Sequence, residues 1–292
     1  MQQRPLLAGL WMLGATLSFS TMAVAGREIA IELDTFELML YRSIIGVIVV
    51  VSLARLAGTL GQIERRDMGL HLFRNVGHFS GQNLWFYAVA TVPLAQVFSL
   101  EFTTPIWVAL AAPFFLGEKW TRPRVLAVTL GFAGILLVAQ PGRVALTPGT
   151  IAAATCAIGF AISYVMTKKL AQRGHTTTQI LFWLTVMQTG FGLVAAGHDG
   201  DIALPTAAGW PLVLVIALAG LTAHYCLTTA LTLAPATLVA PMDFIRLPLI
   251  GFLGYALYEE TVDPLLILGA AIIIGANLLN LRAETQRRNA PS

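Results

Sequence analysis

Long apolar segments separated by short polar stretches follow one another along nearly the whole chain. A helix needs roughly 20 apolar residues to cross the hydrocarbon core of a membrane. Ten segments meet this requirement, at approximately residues 5–26, 36–57, 67–90, 94–116, 123–141, 148–170, 178–198, 209–231, 237–258 and 264–282. They lack the strict alternation of polar and apolar positions that is typical of membrane β-barrels. The pattern therefore predicts an all-α integral membrane protein with ten transmembrane helices.

The first and third segments need separate comment. The third is the most polar, and its polar residues fit a helix whose polar face points into the bundle. The first segment also resembles a cleavable signal peptide, because a small-residue motif, Ala23-Val24-Ala25, follows its apolar run. Its role as a repeat partner, described below, favours its retention as a transmembrane helix.

The composition supports a lipid-embedded chain. Of the 292 residues, 57% are hydrophobic and 11% are charged, and the mean hydropathy is +0.75. Soluble proteins carry about 25% charged residues, so a soluble enzyme and a disordered chain are both excluded. The sequence contains no basic patch of the kind that would indicate a nucleic-acid partner. Cys156 and Cys226 lie in apolar segments and are interpreted as buried thiols.

The distribution of basic residues predicts the orientation. If the N-terminus is cytoplasmic, the cytoplasmic segments hold 13 of the 18 Lys and Arg residues: Arg4, Arg55, Arg65, Arg66, Lys119, Arg122, Arg124, Lys168, Lys169, Arg173, Arg282, Arg287 and Arg288. The outer segments then hold only Arg27 and Arg143. Cytoplasmic loops carry an excess of Lys and Arg. We therefore predict a multi-pass protein of a bacterial-type inner membrane with both termini in the cytoplasm.

The two halves of the chain share an internal repeat. At an offset of 142 residues, Pro93 aligns with Pro235, Glu101 with Asp243, Phe102 with Phe244 and Glu118 with Glu260, and at 141 residues Arg27 aligns with Lys168. Each half holds five segments, an odd number, so the two halves must cross the membrane in opposite senses. Inverted repeats are typical of secondary transporters, which bind substrate near the midplane. We predict repeats at 1–144 and 145–284 and a cytoplasmic tail at 285–292.

Four short stretches stand out beside the plan of ten segments in two halves: Leu116-Gly117-Glu118, Tyr41-Arg42, Pro241 to Leu247, and Glu259-Glu260. In these features the chain resembles the EamA branch of the drug/metabolite transporter superfamily. One departure is Glu259, which stands where the first half has Gly117. The resemblance implies a permease that moves small polar metabolites without hydrolysing ATP. Its subgroup contains bacterial amino-acid exporters and carriers of riboflavin or S-adenosylmethionine.

Charged residues inside the segments are the first candidates for function, since each costs a few kcal/mol unless it is paired or hydrated. Depth along the helices matches Arg42 with Glu101 and Arg74 with Asp243, and Arg246 lies three residues from Asp243. These groups either neutralise one another to fix helix packing, or act as gates and substrate anchors. The unmatched arginine predicts a carboxylate or phosphate on the substrate.

Polar residues near the membrane midplane form the second group of candidates. His78 and Gln82 lie one turn apart on the third segment, and His224 occupies the position of Gln82 in the second half. They either line a cavity or serve packing. Gly77 and Gly81 form a G-x-x-x-G pattern, which predicts a close approach to another helix.

The predicted function is transport. The first expectation is a secondary-active exporter of amino acids or similar metabolites, and the alternative is uptake of a vitamin or nucleoside-type metabolite such as riboflavin or S-adenosylmethionine. Sequence motifs of membrane enzymes and nucleotide-binding loops are absent, and the histidines lack metal-ligand spacing. We therefore expect neither catalysis nor a cofactor or metal, and keep a channel as a rival. The expected partners are a small-molecule substrate and the lipid bilayer, with a monomeric or homodimeric protein.

Overall fold

The computed structural model describes residues 4–117, 121–140, 146–198, 200–243, 246–260 and 263–289, and within these ranges the chain is helical without a β-strand. The helices are α1 (Pro5–Ile29), α2 (Thr35–Leu56), α3 (Met68–Thr91), α4 (Leu94–Glu101), α5 (Thr104–Phe115), α6 (Arg122–Ala139), α7 (Pro148–Gln172), α8 (Thr177–Ala196), α9 (Gly209–Leu233), α10 (Ala236–Met242), α11 (Arg246–Tyr258) and α12 (Pro264–Asn289). In these ranges six segments are long and apolar enough to cross a membrane, α4 and α5 together counting as one. The chain is an all-helical membrane protein.

Each of the ten predicted segments coincides with one helix or with a broken pair. The fourth segment is divided between α4 and α5, and the ninth between α10 and α11. At the first break, Thr103 Oγ1 donates a 2.8 Å hydrogen bond to Leu100 O, and Thr104 Oγ1 donates one of 2.6 Å to Glu101 O. Such bonds satisfy carbonyl groups that a broken helix exposes to the membrane interior. Pro105 lies in the first turn of α5, directly after the break.

The positions at which the helices begin repeat between the two halves of the chain. Helices α2, α4, α5 and α6 begin 142 residues before α8, α10, α11 and α12, respectively. The contacts between helices repeat as well. The first helix of each half packs on the third helix of the other half, α1 on α9 and α7 on α3. In addition, α2 contacts α8 and α6 contacts α12. Glu118 and Phe244, two residues of the predicted repeat alignment, lie outside the described residues.

Three glycines bring α3 and α7 together. A Cβ added at Gly159 of α7 would lie 2.6 Å from the carbonyl oxygen of Gly77 and 2.8 Å from Cα of Gly81. Backbone atoms cannot yield as a flexible side chain does, so only glycine fits at Gly159. The predicted close approach at Gly77 and Gly81 is confirmed.

The departure at Glu259 has a structural counterpart in the backbone. Gly117 has φ of 68° and Glu259 has φ of 52°, so both repeat positions are left-handed. A residue with a Cβ pays a conformational cost in this region that glycine avoids. The second half therefore retains the turn of the first half without its glycine.

We expect Glu259→Gly to stabilise the protein by up to about 1 kcal/mol, because relief of the left-handed strain exceeds the added chain entropy of glycine. Thermal unfolding in detergent would measure the change. Gly117→Ala, at the matching position of the first half, is expected to destabilise. A Glu259→Gly variant that unfolds at a lower temperature than the wild type would contradict this assignment.

A polar cluster joins the loop before α3 to the loop after α7. Asp67 accepts from Arg173 Nη1, and its Oδ2 lies 2.9 Å from Nε2 of the buried His175. Arg66 Nη2 donates to Arg173 O over 2.8 Å. The hydrogen bond to His175, followed by the hydrogen bond and positive charge of Arg173, holds the pKa of the Asp67 carboxyl below its usual value.

This lowered pKa predicts a pH-dependent stabilisation. A depressed carboxyl pKa contributes stability that is fully present above the unfolded value of about 3.9 and is lost as pH falls through the folded pKa. Asp67→Asn keeps a side chain suited to the left-handed backbone, φ 53°. We expect the variant to melt below the wild type at about pH 7 and the gap to shrink toward about pH 3. A gap that is equal at both pH values would count against the carboxylate as its source.

Candidate functional site

A cavity of about 40 Å³, lined mostly by buried residues, lies where the two halves meet. The first half lines it from α1, α3 and the α4–α5 break, and the second half lines it from α7, α9 and the α10–α11 break. Its aromatic wall consists of Phe19, Trp85, Phe102, Phe160 and Tyr164. The volume suffices for water but is far below the roughly 300–1,000 Å³ of metabolite pockets. The cavity must therefore expand before it admits a metabolite.

The cavity gathers six of the eight site residues that the sequence indicated: His78, Gln82, Glu101, His224, Asp243 and Arg246. The other two, Arg42 and Arg74, are buried but do not line it. The six come from both halves, and the two acidic residues stand at the C-terminal ends of α4 and α10, where the helices break.

An ion triad forms one side of the cavity. Arg246, at the start of α11, donates from Nη2 to Glu101 Oε1 over 2.6 Å and also to Asp243 Oδ2. Trp85 Nε1 donates to the second oxygen of Glu101 over 2.7 Å. Thr16 Oγ1 donates to Asp243 Oδ1 over 3.3 Å. Each carboxylate thus has two partners, and the triad links α1, α3, α4 and α11.

Aromatic rings surround the guanidinium of Arg246. Its Cζ lies 4.8 Å from the ring centre of Phe98, 5.0 Å from that of Phe19 and 5.5 Å from that of Phe102. Cation–π attraction adds to the ion pairs, and Arg246 remains only 2% exposed. With one cation against two carboxylates, the triad carries a formal charge of −1 when all three groups are ionised.

The predicted pairing of Arg42 with Glu101 and of Arg74 with Asp243 is wrong. Arg42 donates to Met39 Sδ over 3.6 Å, and Arg74 donates to Thr167 Oγ1 and Asn75 Oδ1 over 3.1 and 2.8 Å. Within the described ranges neither guanidinium has a carboxylate partner. Depth along a helix does not fix the direction of a side chain around it. The predicted contact of Arg246 with Asp243 is confirmed.

Two histidines face each other on the opposite side of the cavity. The rings of His78 and His224 lie 4.5 Å apart at 83°, an edge-to-face arrangement. None of their four nitrogens has a hydrogen-bond partner among the described residues, and neither does Oε1 of Gln82. Gln82 Nε2 lies 3.9 Å from Met22 Sδ. This side of the cavity therefore holds buried polar atoms without hydrogen-bond partners among the described residues.

Polar contacts close the bundle on both sides of the cavity. Glu260, after α11, pairs with Arg27 of α1 and accepts the backbone N–H of Leu94 at the start of α4 over 2.9 Å. At the opposite end, Lys168 Nζ donates to Leu231 O and Ala234 O over 2.8 and 2.9 Å. The repeat relates Arg27 to Lys168, and the contact of Arg27 with Glu260 was not predicted from the sequence.

Comparison with protein families decides the identity of the chain. The model of the EamA-like transporter family matches it twice, over residues 6–140 and 147–282. The chain belongs to this family. The resemblance drawn from the sequence motifs is thereby confirmed.

Three curated relatives show what members of this family transport. A riboflavin transporter of Rhizobium johnstonii is 30% identical over 99% of this chain and 95% of its own length. An S-adenosylmethionine uptake transporter of Rickettsia bellii is 23% identical over 94% and 93%. A pseudopaline exporter of Pseudomonas aeruginosa is 27% identical over 90% and 91%.

The fold also matches a solved structure. One crystal structure superposes with a TM-score of 0.71 at 20% sequence identity, covering 97% of this chain and 99% of the other. The family match and the named relatives make the EamA protein a transporter and a multi-pass inner-membrane protein. The names of the relatives indicate transport rather than catalysis, and they include both uptake and export.

Proposed function

We propose that this EamA protein is a secondary carrier that moves a planar, polar heteroaromatic metabolite of the riboflavin type by alternating access. The observation that carries the proposal is the buried cavity, which both halves line and which combines aromatic rings with paired charges. A carrier passes through a state that is closed to both sides of the membrane. A cavity of about 40 Å³ between two sets of closing contacts is suited to that state.

The proposed architecture is ten transmembrane helices in two inverted five-helix repeats, at 1–144 and 145–284, followed by a tail. The offset of 142 residues between helix starts, the exchanged packing of α1 on α9 and α7 on α3, and the double family match support it. In transporters of this plan, the halves rock around a midplane site. The excess of basic residues in alternate loops of the sequence supports cytoplasmic termini.

The proposed substrate class rests on the wall chemistry. Phe19, Trp85, Phe102, Phe160 and Tyr164 offer flat apolar surface to a ring system, while the triad and the histidine pair offer polar contacts. The riboflavin transporter of Rhizobium johnstonii, at 30% identity, supports a flavin-like substrate. We propose that the six lining residues bind the substrate and that Arg42 and Arg74 act at the gates.

Counterflow in proteoliposomes tests this function. Vesicles loaded with unlabelled riboflavin should accumulate labelled riboflavin transiently and with saturation. Glu101→Gln should abolish the overshoot, whereas Tyr225→Phe, on an exposed ring of α9, should leave it intact. Flux that rises linearly with concentration would indicate a channel instead.

Export of an amino-acid-like metabolite is a second candidate. The triad presents a guanidinium and two carboxylates within one cavity, so it offers both signs of charge to a zwitterion. The pseudopaline exporter among the relatives supports this alternative. A counterflow panel that adds amino acids, S-adenosylmethionine and nucleotides, read by mass spectrometry, separates the two: exchange of amino acids without riboflavin favours the exporter.

A further inference from the structure

Five polar atoms on one wall of the cavity have no hydrogen-bond partner among the described residues: both ring nitrogens of His78, both of His224, and Oε1 of Gln82. Their residues are 2%, 3% and 1% exposed, respectively, and all three line the cavity. An unsatisfied buried polar group costs roughly 1–3 kcal/mol. The cluster thus presents unused hydrogen-bonding capacity to whatever enters the cavity.

The three residues face one another from two helices. His78 and Gln82 lie one turn apart on α3, and His224 faces them from α9. The two imidazoles meet edge to face with ring centres 4.5 Å apart and form no hydrogen bond. The Gln82 amide nitrogen reaches only the soft thioether of Met22, at 3.9 Å. A ligand in the cavity, which all three residues line, can supply these atoms with hydrogen-bond partners.

The cluster offers a defined pattern of donors and acceptors. A neutral imidazole has one N–H donor and one acceptor nitrogen, and the amide oxygen of Gln82 is an acceptor only. Two donors are thus available beside an acceptor. The complementary ligand edge has two carbonyl acceptors beside an N–H donor, as an imide does. Riboflavin carries such an edge on its ring system, at C2=O, N3–H and C4=O.

We propose that His78, His224 and Gln82 form a subsite that hydrogen-bonds the imide edge of a planar heterocycle, with the ion triad left for the polar remainder of the substrate. The inference rests on the proposed function and extends it to the orientation of the ligand. Aromatic rings flank this subsite. The ring centre of Phe160 lies 6.1 Å from that of His78, and the ring centre of Phe19 lies 5.6 Å from that of His224 in an edge-to-face contact. The imide edge enters first, between α3 and α9.

A pair of matched ligands tests the subsite in the full-length protein. Binding of riboflavin and of N3-methylriboflavin would be measured by quenching of flavin fluorescence in detergent. The methyl group removes the N3–H donor, so we expect at least about tenfold weaker binding to the wild type, as for one lost hydrogen bond. His78→Phe and His224→Phe keep an aromatic ring but remove both nitrogens. They should weaken riboflavin binding about tenfold. Gln82→Met removes the amide acceptor that faces N3–H, and it should erase the preference for riboflavin over the methylated ligand.

The outcomes separate the subsite from the function. Equal binding of the two flavins to the wild type overturns the subsite and leaves a flavin carrier standing. A preference that persists in Gln82→Met also overturns it, since the methyl group would then be excluded by shape alone. If the wild type binds neither flavin, the proposed function fails and the subsite fails with it.

Discussion

Replacement of Arg246 by Gln should abolish transport and lower the free energy of unfolding by about 3–5 kcal/mol. Arg246 is the shared partner of Glu101 and Asp243, and all three residues are at most 8% exposed. Its removal leaves two carboxylates facing each other without a counter-charge. Counterflow and thermal unfolding of the purified variant would measure both effects. Arg246→Lys should retain the charge but lose the geometry that lets one guanidinium serve two carboxylates.

A fully neutral triad separates stability from transport. The variant Glu101→Gln, Asp243→Asn, Arg246→Gln contains no unpaired charge, so its unfolding temperature should recover much of the loss caused by Arg246→Gln alone. Its transport should remain at least about 100-fold below the wild type, a loss of about 2.7 kcal/mol of binding and gating interactions. A neutral triad that transports normally would show that these charges serve packing alone.

The second large effect is expected at the contact of α3 with α7. Gly159→Ala should destabilise the protein by about 1–3 kcal/mol, because the added methyl group overlaps backbone atoms of Gly77 and Gly81. Gly190→Ala is the matched control, since a Cβ at this position of α8 meets nothing within 4 Å. The control should be neutral or slightly stabilising, as alanine favours helix. Equal melting temperatures for the two variants would contradict the close approach.

The sequence was sufficient to place the helices and most residues of the site. Segment length, apolar composition and proline positions are local signals, and the helices follow them from α1 to α12. Buried charge inside an apolar segment is also local, which is why Glu101, Asp243 and Arg246 were found. The repeat offset then related His224 to Gln82 before any contact was known.

Apart from the contact of Arg246 with Asp243, the partners of the charged residues could not be predicted from the sequence. Arg42 and Glu101 share a depth, yet side-chain contact also depends on the rotation of each helix and on where it breaks. The break after Glu101 directs this carboxylate toward Arg246, 145 residues away. The closing role of Glu260 was missed for a similar reason, although its repeat partner Glu118 and the alignment of Arg27 with Lys168 were available as signals.

The most direct test of alternating access measures from which side the cavity can be reached. Ser163 lines the cavity, and Ser163→Cys would be placed in a background with Cys156 and Cys226 replaced by alanine. A membrane-impermeant thiol reagent would be applied to either face of oriented vesicles, with and without Glu260→Gln, which weakens the contact with Arg27. A carrier predicts labelling from both faces, with Glu260→Gln raising the rate from the face of Glu260 and lowering it from the other. Rates that rise together from both faces would contradict alternating access and indicate a channel.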